Sequence, residues 1–376
     1  MKLVLSVDAL TPNLTGIGRY TLELVERLPH RLGKKAVRYY RQGRWVENSH
    51  ALLEPLPAAG SARSRFPRLR VKTPKWLRQY QIERGCRGAV FHGPNYFLPS
   101  CAEIGVATVH DLSVFKYPEA HPRARIEHFE REFHLSLSRA AHLITDSQAT
   151  RDEVIAYLGW PESRITAVPL GVSPRFAPRP LDALAPCLSK YGLSAGTYTL
   201  CVSTLEPRKK IDCLLEAYQA LPAGTRRSFP LVLAGSSGWL SEKLQRDIGH
   251  LSEHGWLRYL RFVPEADLPS IYAGARLFVY PSIYEGFGLP VAEAMASGVP
   301  VVTSDRSSLP EVTKGSALLV DPDDVVALAG AIETGLLDDD WRHDARSKGL
   351  SVVKDYSWDT CVDRTMEVYG RASRMA

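Results

Sequence analysis

The chain has 376 residues, 45% of them hydrophobic and 23% charged, which suits a globular enzyme of two or three domains rather than a disordered or fibrous chain. The formal net charge of +6 is uneven: residues 1–175 carry 26 Lys and Arg against 16 Asp and Glu, and the remainder is acidic. Six cysteines without a C-x-x-C spacing argue against zinc and a disulfide scaffold. With no signal peptide and no apolar run of about 18 residues, a cytoplasmic protein is expected.

In the first half, short apolar runs alternate with amphipathic stretches. Residues 3–7, 89–92, 106–110, 143–145 and 165–168 read as strands of a parallel sheet. Helices are expected at 18–32, 123–140 and 147–158, the last with Ser147 as its N-cap. Between the first two strands lies a basic window, Arg63, Arg65, Arg68, Arg70, Lys72, Lys75, Arg78, Arg84 and Arg87, interleaved with aromatic and aliphatic residues. Thr73 and Pro74 fit an N-cap and first helical position, predicting a short helix over 74–85 with a basic side. Two readings of Arg63 to Arg87 stand: contact with anionic lipid headgroups at the inner face of the cytoplasmic membrane, or a solvated charged face. Nucleic acid is set aside, because no zinc finger, RNP-type aromatic set or helix-turn-helix accompanies the charge.

A proline-rich stretch, 169–174 followed by Pro178 and Pro180, marks the hinge between halves. Beyond it, strands are expected at 198–203, 231–234, 259–263, 277–280, 299–303 and 317–320, and helices at 211–220, 242–254, 267–274 and 325–337. The fold class is α/β. Two parallel sheets face each other across a cleft, with ligands at the carboxyl ends of strands.

The most informative segment is 281–298. A loop containing Glu285, Gly286, Phe287 and Gly288 runs into a helix at Leu289, with Pro290 in its first turn, Glu293 about two turns in and Gly298 at its stop. The two glycines leave unpaired N–H groups and the positive helix end free to meet a phosphate oxygen or sugar hydroxyl. Glu285 can accept hydrogen bonds from a sugar, and Glu293 can reach a ribose diol. Alone, such a pair of glutamates would be read as solvated. Between two glycine-aromatic steps that reading is disfavoured.

The spacing of Glu285 and Glu293 with Gly-Phe-Gly between them resembles the E-x7-E motif of retaining glycosyltransferases of family 4. Members have the GT-B fold, two facing Rossmann-like domains. The resemblance implies domains over 1–172 (acceptor side) and 173–355 (nucleotide-sugar donor), with 356–376 a helix crossing back to the first domain. It also assigns Arg208 and Lys209, which follow Ser203 at the end of a strand, to the donor pyrophosphate. Two fixed cations there would stabilise a departing nucleoside diphosphate without a metal. Gly16 and Gly18, in a loop too glycine-poor for a nicotinamide fingerprint, are implied to lie over the donor phosphates.

His110, at the end of a strand, is implied to sit near the anomeric centre or the C6 hydroxyl; Asp111 either orients it or caps the next turn. Residues 92–96 are expected on the acceptor side. The segment 259–268 is similar to the base-holding loop of members that use GDP-mannose or a GDP-deoxysugar such as GDP-D-rhamnose to build O-antigen polysaccharide. Val263 would offer backbone groups to the base, and Glu265 would accept from guanine's N1–H and exocyclic amine. Asp321 and Asp323 could be taken for a D-x-D metal signature, but Asp323 or Asp324 fits an N-cap. No cofactor and no essential metal are expected.

Retaining transfer of a hexose from a nucleotide sugar, GDP-linked by preference, to a glycan or lipid-linked glycan is therefore expected, with front-face departure and attack implied by the family. The alternatives are a UDP-sugar enzyme of the same family, a sugar-nucleotide epimerase, and a lectin-like scaffold. The epimerase needs acid and base carboxylates beside the sugar that are not evident, and the scaffold predicts broken motifs where Arg208, Lys209, Glu285 and Glu293 stand intact.

Overall fold

The computed structural model describes residues 1–12, 14–54, 74–239 and 241–375. The first sheet contains β1 (Leu3–Ser6), β2 (Val37–Arg41), β3 (Arg44–Val46), β4 (Val90–Gly93), β5 (Ile104–Val109), β6 (Ala140–Thr145) and β7 (Ile165–Ala167), in the spatial order β3-β2-β1-β4-β5-β6-β7. The second contains β8 (Thr199–Val202), β9 (Leu231–Ala234), β10 (Leu257–Tyr259), β11 (Leu277–Tyr280), β12 (Val301–Ser304) and β13 (Leu318–Val320), ordered β10-β9-β8-β11-β12-β13. All pairings are parallel except β2 with β3. Helices cover the sheets, so β1, β4, β9, β11 and β12 are buried along their whole length. That double-sided burial is why they read as mostly apolar runs, with the buried polar residues Ser6, His92, Thr303 and Ser304 toward their carboxyl ends.

Several expectations need correction. The β2–β3 hairpin was absent from the predicted elements; it turns at Gln42 and Gly43, both at positive φ (44° and 73°), the geometry that fits a tight two-residue turn between twisted strands. The strand expected over 259–263 runs instead over Leu257–Tyr259, because Arg261 at φ 58° ends the extended run and Phe262 is exposed. Helices Leu181–Lys190 and Asp339–Val352 were also not foreseen. The helix of the basic window spans Lys75–Cys86, with Pro74 at its N-cap; Arg63 to Lys72 and Thr73 lie outside the described residues.

The last helix, Trp358–Met375, packs against β4, β5, β6 and the helix Gly16–Leu32 of the first domain. Its Tyr369 hydroxyl bonds the buried ring of His92 at 2.7 Å, so His92 is a core residue and not part of a cleft wall. The two chain crossings between domains touch: Val172 N–H donates to the Tyr356 carbonyl at 3.0 Å. At Gly171 a Cβ would lie 2.2 Å from Trp358 N, so only glycine fits there. Among the described residues no helix is long and apolar enough to cross a membrane.

Candidate active site

The site lies where the carboxyl ends of both sheets meet. In the second domain, Arg208 and Lys209 follow β8 in a short 3-10 turn (Pro207–Lys209), and Glu285 follows β11. Lys209 Nζ pairs with the Glu285 carboxylate and donates to the Tyr280 hydroxyl at 2.7 Å. Arg208 lies 3.4 Å from Glu285 Oε1, donates to the Tyr284 carbonyl at 2.9 Å, and reaches Glu206 at 3.1 Å. The side chains of Lys209 and Glu285 are only 8% and 11% exposed. The two expected cations and the expected loop carboxylate are thus brought together as one buried network, in which Glu206 and Glu285 balance Arg208 and Lys209.

Burial alone would push the Glu285 carboxyl up, but Lys209 and Arg208 outweigh it and hold it at about 2. Burial and the neighbouring Arg208 charge pull the Lys209 ammonium below the usual lysine value, Glu285 only partly offsetting them. Arg208, although buried, is held firmly charged by Glu285, Asp111 and Glu206.

The Glu285 loop is pinned from its own domain and from the other. Ser308 Oγ donates to the carbonyls of Glu285 and Phe287 at 2.9 and 3.0 Å, and Glu285 N–H donates to Ser307 at 2.9 Å. A Cβ on Gly286 would stand 1.8 Å from the His110 carbonyl. Gly288, at φ 97°, is the N-cap of the helix Leu289–Ala296. The Phe287 ring turns inward, edge-on to Tyr356 at 5.2 Å, leaving only its backbone for a ligand. Gly16 approaches Leu289 from the first domain, and Gly18 N–H is capped by Thr15 Oγ1 at 3.3 Å. Ser203 stands at the end of β8, its N–H bonded to the Ala234 carbonyl at 2.9 Å.

His110 ends β5. Its Nδ1 bonds Asp146 Oδ2 at 2.6 Å and its Nε2 the Pro94 carbonyl at 2.8 Å. A carbonyl can only accept, so His110 Nε2 carries a proton; burial raises the Asp146 pKa while His110 lowers it, so the two share a proton across the 2.6 Å contact. Burial opposes a charge on the ring, but Asp146 prevails and raises the His110 pKa. Asp146, at the end of β6, is therefore what orients His110. Asp111 caps the next turn instead, accepting from Ser113 N–H at 2.9 Å.

Sequence reasoning also missed Arg19. Its guanidinium donates to Glu293 Oε1 at 2.8 Å and lies 3.4 Å from Glu265 Oε1. Glu265 is also paired with Arg175, and Val263 is buried. Arg19, Arg175 and Glu265 border a cleft of ≈ 500 Å³, within the usual range of small-molecule sites. A cation in the first turn of a helix opposes its dipole, and that placement was the signal that could have found Arg19.

The domains close directly on the site. The N–H groups of Gln148 and Ala149, at the start of the helix Gln148–Leu158, donate to the two carboxylate oxygens of Glu311 at 2.9 and 3.0 Å. Leu112 N–H donates to the Tyr284 hydroxyl at 3.0 Å. Elsewhere Asp324 caps the helix Val325–Leu337, while Asp321 and Asp323 pair with Arg306, and Asp323 also with Lys210.

Two Rossmann-like sheets with a buried cation pair, a loop carboxylate and a helix carboxylate at their junction define a GT-B glycosyltransferase. Residues 14–176 match the Glycosyltransferase Family 4 model, and residues 192–351 match Glycosyl transferases group 1. The chain is 39% identical over 378 aligned residues to the O-antigen chain mannosyltransferase B of Escherichia coli, covering 98% of this chain and 99% of that one. It therefore belongs to glycosyltransferase family 4. Among solved structures it superposes on a sucrose-phosphate synthase from Thermosynechococcus elongatus (TM-score 0.73, 22% identity, 100% of both chains). It also superposes on Anabaena Alr3699/HepE in complex with UDP and glucose (TM-score 0.72, 16% identity, 98% and 99% of the chains). At those identities the likeness is one of fold.

Proposed function

We propose that this protein transfers mannose, with retention of configuration, from a GDP-sugar to a hydroxyl of an O-antigen-type glycan carried on a lipid. The observation that carries the reading is the end-to-end similarity to the O-antigen chain mannosyltransferase B, together with the buried Arg208–Lys209–Glu285 network at the cleft. Arg208 and Lys209 hold the departing diphosphate, Glu285 orients the sugar, and Glu293 accepts from the ribose diol. The bond from the anomeric carbon to phosphate oxygen breaks, the acceptor oxygen bonds the same face, and its proton passes to the leaving phosphate. His110, held by Asp146, backs the Glu285 loop, its carbonyl standing against Gly286. No metal is required in this scheme, because the two cations supply the counter-charge and Asp321 and Asp323 are already paired with Arg306 and Lys210.

The donor base is read from Glu265. Guanine offers a paired N1–H and amine to a carboxylate, and uracil does not. Calorimetry is expected to give tighter binding of GDP than of UDP, with Glu265→Ala narrowing the gap. UDP binding as tightly as GDP would overturn the guanine assignment and leave the transferase reading intact.

The helix Lys75–Cys86 supports membrane docking: Trp76 and Tyr80 are 71% and 55% exposed beside Lys75, Arg78, Arg84 and Arg87. Exposed aromatics next to cations suit a headgroup layer. Cosedimentation with anionic vesicles should decline as salt rises, and decline further when Trp76 and Arg78 are replaced by Ser and Gln. Equal binding to neutral vesicles, or none to anionic ones, would leave a solvated face.

A further inference from the structure

Glu293 belongs to the donor domain, yet the cation hydrogen-bonded to it, Arg19, comes from the other domain. The Glu293 and Arg19 side chains are only 10% and 14% exposed. Arg19, Arg175, Glu265 and the Tyr272 hydroxyl are the groups that bear on Glu293. Glu265 is a second negative charge, and Arg175 is half exposed and bonded to Glu265. The tyrosine is neutral, its ionisation suppressed by burial. Arg19 is thus the group that balances Glu293. A ribose diol brings two hydroxyl donors but no charge, so a buried carboxylate needs its cation with the donor bound as much as without it.

We infer that Arg19 is a positioning residue for the donor: supplied across the cleft, it keeps Glu293 ionised and aimed at the ribose, so the ribose site is complete only when the domains are closed. The inference rests on the ribose reading of Glu293 given above. It gives the first domain a side-chain hold on the nucleotide from the same helical turn as Gly16 and Gly18, which the structure places in the helix and not in a loop. It also explains a cation placed in the first turn of the helix Gly16–Leu32 against the dipole.

The test compares Arg19→Gln, Arg19→Lys, Glu293→Gln and the double variant Arg19→Gln/Glu293→Gln, by GDP calorimetry and by kcat and donor KM from mildly acid to mildly alkaline pH. Thermal melts show which variants are folded. Arg19→Gln should weaken GDP binding and raise donor KM by on the order of tenfold, the worth of one charge-assisted hydrogen bond, with kcat within about twofold.

Burial already raises the Glu293 pKa and Arg19 opposes that rise. Affinity that needs the carboxylate is present above this pKa and lost as pH falls through it. Removing Arg19 therefore moves the loss to higher pH, and Arg19→Gln should regain affinity on the alkaline side. Arg19→Lys should restore most of the binding. Arg19→Gln should add nothing once Glu293 is Gln. Arg19→Met, which keeps the aliphatic stem, replaces Arg19→Gln if the amide does not fold. Normal GDP affinity in Glu293→Gln would sink the ribose reading itself. Weak binding in Glu293→Gln with normal binding in Arg19→Gln would overturn the role of Arg19 alone. So would a loss in Arg19→Gln that ignores pH and adds to that of Glu293→Gln.

Discussion

Glu285→Ala is expected to lower transfer by about 10²–10³-fold or more while the variant remains folded in the presence of nucleotide. The carboxylate orients the sugar in the proposed reaction, and its buried position also neutralises Lys209 and Arg208. Removing one partner of such a network costs about 3–5 kcal/mol, because it strands the others. This alters the simplest expectation, that a loop carboxylate contributes nothing to stability. The empty variant should melt well below wild type, and GDP should recover much of the difference, since a diphosphate gives the stranded cations an anion. Normal turnover would remove Glu285 from the site. A melting deficit that GDP leaves unchanged would mean that Lys209 and Arg208 do not meet the diphosphate.

The second large effect concerns those cations. Lys209→Ala and Arg208→Ala should each reduce kcat by on the order of a hundredfold, as for other lost contacts to charge that develops in the transition state. Lys209→Arg should not rescue, because Lys209 is 7% exposed and enclosed by Tyr280 and Glu285, with no room for a planar guanidinium. EDTA should leave the wild-type rate almost unchanged. A strict requirement for Mg²⁺ would instead recast Asp321 and Asp323 as ligands that exchange Arg306 and Lys210 for the ion.

Much of the fold was legible because of one physical circumstance. Strands covered on both faces favour apolar side chains, and β9 and β11 carry that signature throughout, β4 and β12 over their first two residues. Where one face is wet, it fades. In β2 only Val37 and Tyr40 are buried, three residues apart among Arg38, Tyr39 and Arg41, and its partner β3 is an edge, so neither stood out. The helix Leu181–Lys190 hides behind Pro186, and Asp339–Val352 behind its charge.

The site divides in the same way. Glu285, Glu293, Arg208 and Lys209 sit in local patterns tied to strand ends and a helix start, and such patterns can be read. Pairings such as Arg19 with Glu293, 274 positions apart, or His110 with Asp146, leave no local trace. Only their placement, a cation against a helix dipole and an aspartate at the mouth of a parallel strand, hinted at them.

The seam between Val172 and Tyr356, with Gly171 lodged against Trp358, has a bearing on how new specificities arise. The first domain is built from two separate stretches of sequence, since the helix Trp358–Met375 finishes the first sheet's packing while the second sheet lies between. A recombination that exchanges the leading segment alone would bring Trp358 and Tyr369 against a surface they were not shaped for. Inserting a foreign middle segment between unchanged ends would leave that surface whole. Exchange of the middle segment is thus expected to be tolerated better than exchange of the leading one.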